Sequence, residues 1–142
     1  MEKIFFEYTD LEDQYAIESA WADKKGEYYV LRNILFYARG YSWGDTVSVE
    51  NRNGELYVVD LIEESGHTTI RVIFYDVEIA KDTAEQLITM GCSYEGSNIA
   101  TLISVDVPQD VDYRPIKLFL DEGEMNEVWS YEEACLAHEL DT

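Results

Sequence analysis

The sequence predicts an α+β fold: a small bent antiparallel β-sheet or partial barrel in the N-terminal half, packed with a ferredoxin-like βαββαβ half. Three observations carry this. Segments rich in β-branched and aromatic residues, broken by turn signals, fill residues 16–59. Apolar residues at helical spacing then enter from Ala80 onward. Strands and helices finally follow one another in the split order β-α-β-β-α-β over residues 68–132. The 142 residues suit one compact domain or two small modules packed as one unit. We divide the chain into an N-terminal arm (1–15), an antiparallel β module (16–67) and a ferredoxin-like module (68–142).

Each element has its own warrant. The arm mixes Phe5, Phe6 and Tyr8 with Glu7, Asp10, Glu12 and Asp13 and has no clean period. From Ala16 to Ala22 apolar and polar residues roughly alternate around Trp21, and Tyr28 to Leu31 follow the turn signal Lys24-Lys25-Gly26, which predicts a hairpin. Gly40 and Gly44 bracket a loop through Tyr41, Ser42 and Trp43. Asn53-Gly54, flanked by Thr46 to Val49 and Leu56 to Val59, predicts a second hairpin, because both residues tolerate the positive φ angles of a type I′ turn. Thr68 to Tyr75 reads as a strand, and Ala80, Ala84, Leu87 and Ile88 as a helix ended by Gly91. Cys92 to Glu95 and Ile99 to Val107 read as strands around Gly96-Ser97-Asn98, with Pro108 ending the second. Asp112 is placed to cap a helix carrying Ile116, Phe119 and Leu120 and closed by Gly123. Val128 to Tyr131 reads as a final strand, although Ser130 and Glu133 also have capping-box spacing for a short helix.

Composition excludes several classes. There are 30 Asp and Glu against 10 Lys and Arg, a formal net charge of −20, yet 46% of the residues are hydrophobic and 13% aromatic. That much apolar area offsets chain entropy, so the chain folds. A pI near 4.1 argues against binding nucleic acid or an anionic membrane, both of which need cationic groups. No apolar run approaches the ~20 residues that cross a bilayer, and Met1 to Glu7 lack the basic start and apolar stretch of an export signal. Cys92 and Cys135 have no CxxC spacing. The expectation is a cytoplasmic protein with two buried free thiols.

A polar set in the middle of the chain offers chemistry. His67 follows Gly66, with Ser65 and Arg71 near it in sequence and Asp45 on a glycine-flanked turn. A Ser/His/Asp arrangement or a His–Asp general base can be drawn from these residues. No G-x-S-x-G elbow accompanies them, and the plainer reading is structural hydrogen bonding of loops. Arg32 and Asn33 with Asp45 read first as an internal Arg–Asp clasp and second as a ligand contact. With two histidines, His67 and His138, no transition-metal cluster is expected. Asp106, Asp110 and Asp112 lack the glycine and glutamate of a calcium loop and read as a helix-capping turn. Gly40 to Gly44 lacks the lysine of a P-loop, so no cofactor is expected.

Two features point toward a partner. Tyr41 and Trp43 are residue types that serve either as core or as interface anchors. From Asp121 to Thr142 there are eight acids, among them Glu122, Glu124, Glu127, Glu132 and Glu133, and no lysine or arginine. Such a stretch is either a solvated face or a surface that steers and holds a basic protein.

Glu18-Ser19-Ala20-Trp21-Ala22, Leu31-Arg32-Asn33-Ile34-Leu35-Phe36 running into Gly40-Tyr41-Ser42-Trp43-Gly44-Asp45, and Ser65-Gly66-His67-Thr68-Thr69-Ile70-Arg71-Val72 together resemble the bacterial domain family DUF4265 over residues 16–135. The chain departs from that pattern at Leu35, where the family tends to have proline, and at Ala20, where it tends to have leucine. The resemblance implies a bacterial, intracellular protein and brings no established activity. The function expected from charge, size and missing catalytic motifs is a protein-binding, immunity-like inhibitor of a basic partner such as a nuclease toxin, its carboxylates standing where phosphates would sit. A regulatory or small-ligand-binding module is the alternative, and a His67-dependent enzyme the third reading.

Overall fold

The computed structural model describes residues 1–139. Strands β1 (Glu2–Thr9), β2 (Tyr15–Lys25), β3 (Tyr28–Leu31), β4 (Thr46–Arg52) and β5 (Glu55–Glu63) form a closed barrel in sequence order. Neighbouring strands are antiparallel, and the barrel is closed by a parallel pairing of Ile4 with Leu56 and Phe5 with Tyr57. Residues 1–15, expected to be an arm, therefore supply a strand of the barrel and turn the partial barrel into a closed one. Ile4 and Phe6 are buried in its core and Tyr8 packs against them, so a two-residue period is present. Phe5 hides it in the sequence: on the outer face it stacks on Tyr57, with ring centroids 5.4 Å apart. The Asn53-Gly54 turn has the expected positive φ at both residues, 56° and 92°.

The second unit comprises β6 (Thr68–Phe74), α1 (Ala80–Thr89), β7 (Ser93–Gly96), β8 (Leu102–Val107), α2 (Tyr113–Met125) and β9 (Trp129–Cys135). Its strands pair antiparallel in the order β7-β8-β6-β9, the arrangement that the split βαβ order predicts. The end of the chain that allowed strand or short helix is a strand, because β6 offers it a ladder from Phe74 to Thr69. Asp112 caps α2 by accepting from the Arg114 N–H, as expected. Gly123 does not close that helix. It lies buried within α2, which runs on to Met125, and it leaves room for Trp129: a Cβ there would stand 2.0 Å from Trp129 Cζ2.

Alternation along β6 and β8 gives this sheet two unlike faces. Ile70, Val72, Phe74, Ile103 and Val105 pack with Leu87, Ile116 and Leu120 of the helices. Thr69, Arg71, Ser104 and Asp106 occupy the opposite face and are also buried, although they are polar. What covers them is the loop between β3 and β4, residues 32–45, which belongs to the barrel.

Both cysteines are free; Cys92 is buried and Cys135 is half-buried. Burial pushes the Cys92 thiol up to about 12. At pH 8 only roughly 10⁻⁴ of it is thiolate, so iodoacetamide should leave Cys92 unlabelled in the native protein and label it once urea unfolds the chain, as read by peptide mass spectrometry. Gly123→Ala should destabilise by about 1–3 kcal/mol through overpacking against Trp129, despite alanine's better helix propensity. Gly96→Ala, with open space at the new Cβ, should stay within about 0.5 kcal/mol in the same urea titrations.

Candidate functional site

The residues singled out in the sequence converge on the 32–45 loop and fasten it to both units. Its amide groups are held by carboxylates. Glu18 on β2 accepts from the Phe36, Tyr37 and Ala38 N–H groups at 2.7–3.0 Å, and Glu95 on β7 accepts from the Ile34 N–H and the Asn33 side chain. Its carbonyl groups are held by donors rising from the polar face of the sheet. Arg71 donates to the carbonyls of Leu35, Tyr37 and Ala38 and to Glu132, and Ser104 adds a 2.7 Å hydrogen bond to Leu35 O. Burial pushes the Arg71 guanidinium down from its usual range while the Glu132 carboxylate pulls it back up. An arginine with such partners stays charged.

Farther along the loop, Asp45 is buried and accepts from the N–H groups of Ser42 and Ser65, both at 2.8 Å. The Ser42 hydroxyl meets that of Thr69 at 2.8 Å. Arg32 does not reach Asp45: it pairs with Asp23 at 3.1 Å and stacks on the Trp43 ring at 4.8 Å. The Arg–Asp clasp expected from the sequence is thus replaced by two separate contacts, because the carboxylate of Asp45 is already committed to backbone amides. Asn33 accepts from the Trp21 N–H as well as donating to Glu95.

The Ser/His/Asp arrangement does not form either. The Ser65 hydroxyl donates to the Trp43 carbonyl and accepts from the His67 backbone N–H, so its proton faces away from the imidazole. The His67 ring pairs instead with Asp106, whose oxygens lie 2.9 and 3.0 Å from Nδ1. With that carboxylate accepting, Nδ1 donates, and Nε2 has no partner among the described residues. Asp106 is held above the ordinary carboxylate range by burial, a tendency the neighbouring imidazole opposes. His67 also packs against Trp43, with ring centroids 5.1 Å apart. Asp106 lies on β8 rather than in the helix-capping turn, and it is the one carboxylate in that strand. Among the described residues no group of three or more His, Cys, Asp or Glu side chains is placed to hold a metal ion.

Of the residues expected to meet a partner, Tyr41 packs edge-on against Phe6 of the barrel core. Trp43 lies between Arg32 and His67. Four of the six acids are engaged inside the protein. Glu132 holds Arg71 and Arg39, Glu133 accepts from the Tyr113 hydroxyl, Glu124 from the Tyr131 N–H, and Asp121 from the Tyr131 hydroxyl. Glu122 and Glu127 are exposed and make no side-chain hydrogen bond among the described residues. Glu18, Glu95, Ser104 and Asp106, which do much of the clamping, were not singled out as site residues. The one available signal was position, since Ser104 and Asp106 alternate with apolar residues along β8; Glu18 and Glu95 lie in strands with other polar residues and carry no such mark.

A groove of about 620 Å³ opens where the loop's cover ends, between the β1–β2 turn, Tyr37 and Arg39 of the loop, and Ile73 and Tyr131 of the sheet. His67 does not line it. No helix among the described residues is long and apolar enough to cross a membrane.

A barrel whose loop is clamped across the polar face of a ferredoxin-like sheet, with Glu18, Asn33, Asp45, Ser65, His67 and Arg71 of the motifs engaged in or beside the clamp, defines the class. The chain belongs to the DUF4265 family, described as a domain of unknown function, whose model matches residues 18–131. The match begins at Glu18, the carboxylate that holds three loop amides. A solved structure described as the novel crystal structure of a hypothetical protein from Neisseria gonorrhoeae is similar throughout, with a TM-score of 0.87, 25% identity and 96% of each chain covered. No curated protein matches.

Removing Arg71 should be the most damaging single change in the clamp. Arg71→Met leaves the Tyr37 and Ala38 carbonyls without their donor, takes one of two donors from Leu35 O and from Glu132, and should cost about 3–5 kcal/mol in urea titrations. Arg71→Lys should recover little, because a single ammonium cannot span the positions that the guanidinium fork reaches.

Proposed function

We propose that the protein is a non-catalytic binding protein, an immunity-like inhibitor that seats on a strongly basic protein such as a nuclease toxin. The observation that carries this reading is how the charges are distributed after internal pairing. All five arginines and Lys117 are engaged in ion pairs within the chain, so little free positive charge interrupts a surface belonging to a protein of net charge −20. Such a surface attracts cationic proteins over distance and repels nucleic acids and other acidic proteins. The dispersal of the Ser65, His67 and Asp45 side chains onto separate partners also favours binding over hydrolysis.

The outer face of α2 suits the contact best. Leu118 and Met125 are 70% and 80% exposed, and with Glu122 between them they fall at i, i+4 and i+7, one face of the helix. Glu127 follows just beyond the helix end. Apolar anchors flanked by carboxylates match a basic surface that carries apolar pockets. Tyr41 and Trp43, held by internal packing, serve in this reading to shape the protein rather than to touch the partner. An inhibitor of this kind would act in the cytoplasm, where its two free thiols persist.

The test is affinity capture from the native host, followed by titration of the purified partner. The expected partner has a pI above about 9 and binds at least ~10-fold more weakly in high salt than in low salt. The double variant Glu122→Lys/Glu127→Lys should slow association by roughly tenfold without changing the urea midpoint. An acidic partner, or affinity indifferent to salt and to both substitutions, would overturn the reading.

A further inference from the structure

We infer that the groove beside the clamped loop is a binding site for a small aromatic monocarboxylate. Four features lead there. First, a volume of about 620 Å³ lies within the range of small-molecule sites, and the groove stands at the junction of two units, where such sites concentrate. Second, its floor is apolar and uncovered. Every residue of β6 is buried except Ile73, which is 51% exposed because the loop stops short of it. Third, its wall is aromatic: Tyr8 and Tyr37 stack with ring centroids 5.9 Å apart and planes 11° from parallel, and Phe36 beside Tyr37 also lines the groove. A planar ring laid on Ile73 would lie beside that aromatic wall.

The fourth feature is the polar complement. The groove contains two guanidinium groups, and they are not equivalent. Arg71 spends its donors on the loop carbonyls and Glu132. Arg39 gives Glu132 only Nη2, at 2.7 Å, and its side chain is 63% exposed, leaving Nε and Nη1 unused. The Tyr8, Tyr37 and Ser130 hydroxyls likewise make no hydrogen bond among the described residues, unlike the polar groups under the loop. Tyr8 is held protonated by burial and by the nearby Glu18, so its hydroxyl is available as a donor. One open cation beside donor hydroxyls fits one carboxylate. The rim carries Asp10 and Glu12, which repel a second negative charge, so phosphate-rich ligands are rejected and a monoanion is accepted.

The test uses the full chain, isotope-labelled for NMR, with phenylacetate and indole-3-acetate as probes. Benzylamine and AMP serve as the cationic and dianionic comparisons. Both carboxylates should give saturable shifts at Tyr37, Arg39 and Ile73 with a Kd of about 1 mM or tighter, whereas benzylamine and AMP should not saturate. Arg39→Gln should weaken the carboxylates about tenfold and leave binding of the neutral phenylacetamide unchanged. Ile73→Glu should abolish binding of all three. Both positions are exposed, so an unchanged urea midpoint verifies the fold of each variant. The inference fails if neither carboxylate saturates by about 10 mM, if benzylamine binds as well as phenylacetate, or if Arg39→Gln is without effect. None of these outcomes bears on the α2 face or on a basic protein partner.

Discussion

A guanidinium removed from water has to replace each hydrogen bond it surrenders, and Arg71 does so with three backbone carbonyls of another unit and with Glu132 of its own sheet. The dependence is mutual. Without Arg71, the carbonyls of Tyr37 and Ala38 would be buried against a sheet with nothing to accept from, and that of Leu35 would keep only Ser104. Without the loop, the sheet would expose a charged side chain at the centre of its middle strand. The amide side of the same stretch is closed by Glu18 and Glu95, so a cation faces its carbonyls and anions face its N–H groups. This opposition of charge joins barrel to sheet more specifically than apolar contact would, since each partner must be in register for the others to be satisfied.

Local patterns made much of the fold legible. Asn53-Gly54 determined its hairpin because the turn needs positive φ at both positions, and Asp112 announced α2 because its carboxylate had an orphan N–H within reach. The split order of strands and helices identified the second sheet. What escaped the sequence depends on distant partners. β1 looked irregular because Phe5 points outward, and only the presence of Tyr57 on the neighbouring strand explains an aromatic residue there. Gly123 looked like a stop signal, since nothing local says that the Trp129 ring lies over it. The polar set was found in outline, with Asn33, Asp45, Ser65, His67 and Arg71 all in the clamp or beside it. The pairings were not, because His67 could meet Asp106 as readily as Asp45 until the topology brought β8 next to β6.

The acidic composition also changes meaning once the contacts are known. Glu18, Asp45 and Glu95 act as caps for backbone N–H groups, a task for which an ionised carboxylate is the strongest acceptor available. Part of the negative charge is therefore architectural. The remainder lies outside, on the helices and the barrel, where it is answered by few cations. A count of acids along the chain merges the two populations, which is why the C-terminal stretch seemed more uniformly available than it is.

Residues 34–38 of the loop are fixed through their main chain. Glu18, Glu95 and Arg71 grip amides and carbonyls that every residue but proline would present alike, and the side chains of Phe36 and Tyr37 take no part in that grip. The wall of the groove is thus decoupled from its support, much as a binding loop is decoupled from the scaffold that displays it. Members of one lineage can exchange the side chains at 36 and 37, and with them whatever the groove accepts, while the same clamp holds the backbone in place. Evolution can retune this surface without having to rebuild the joint beneath it.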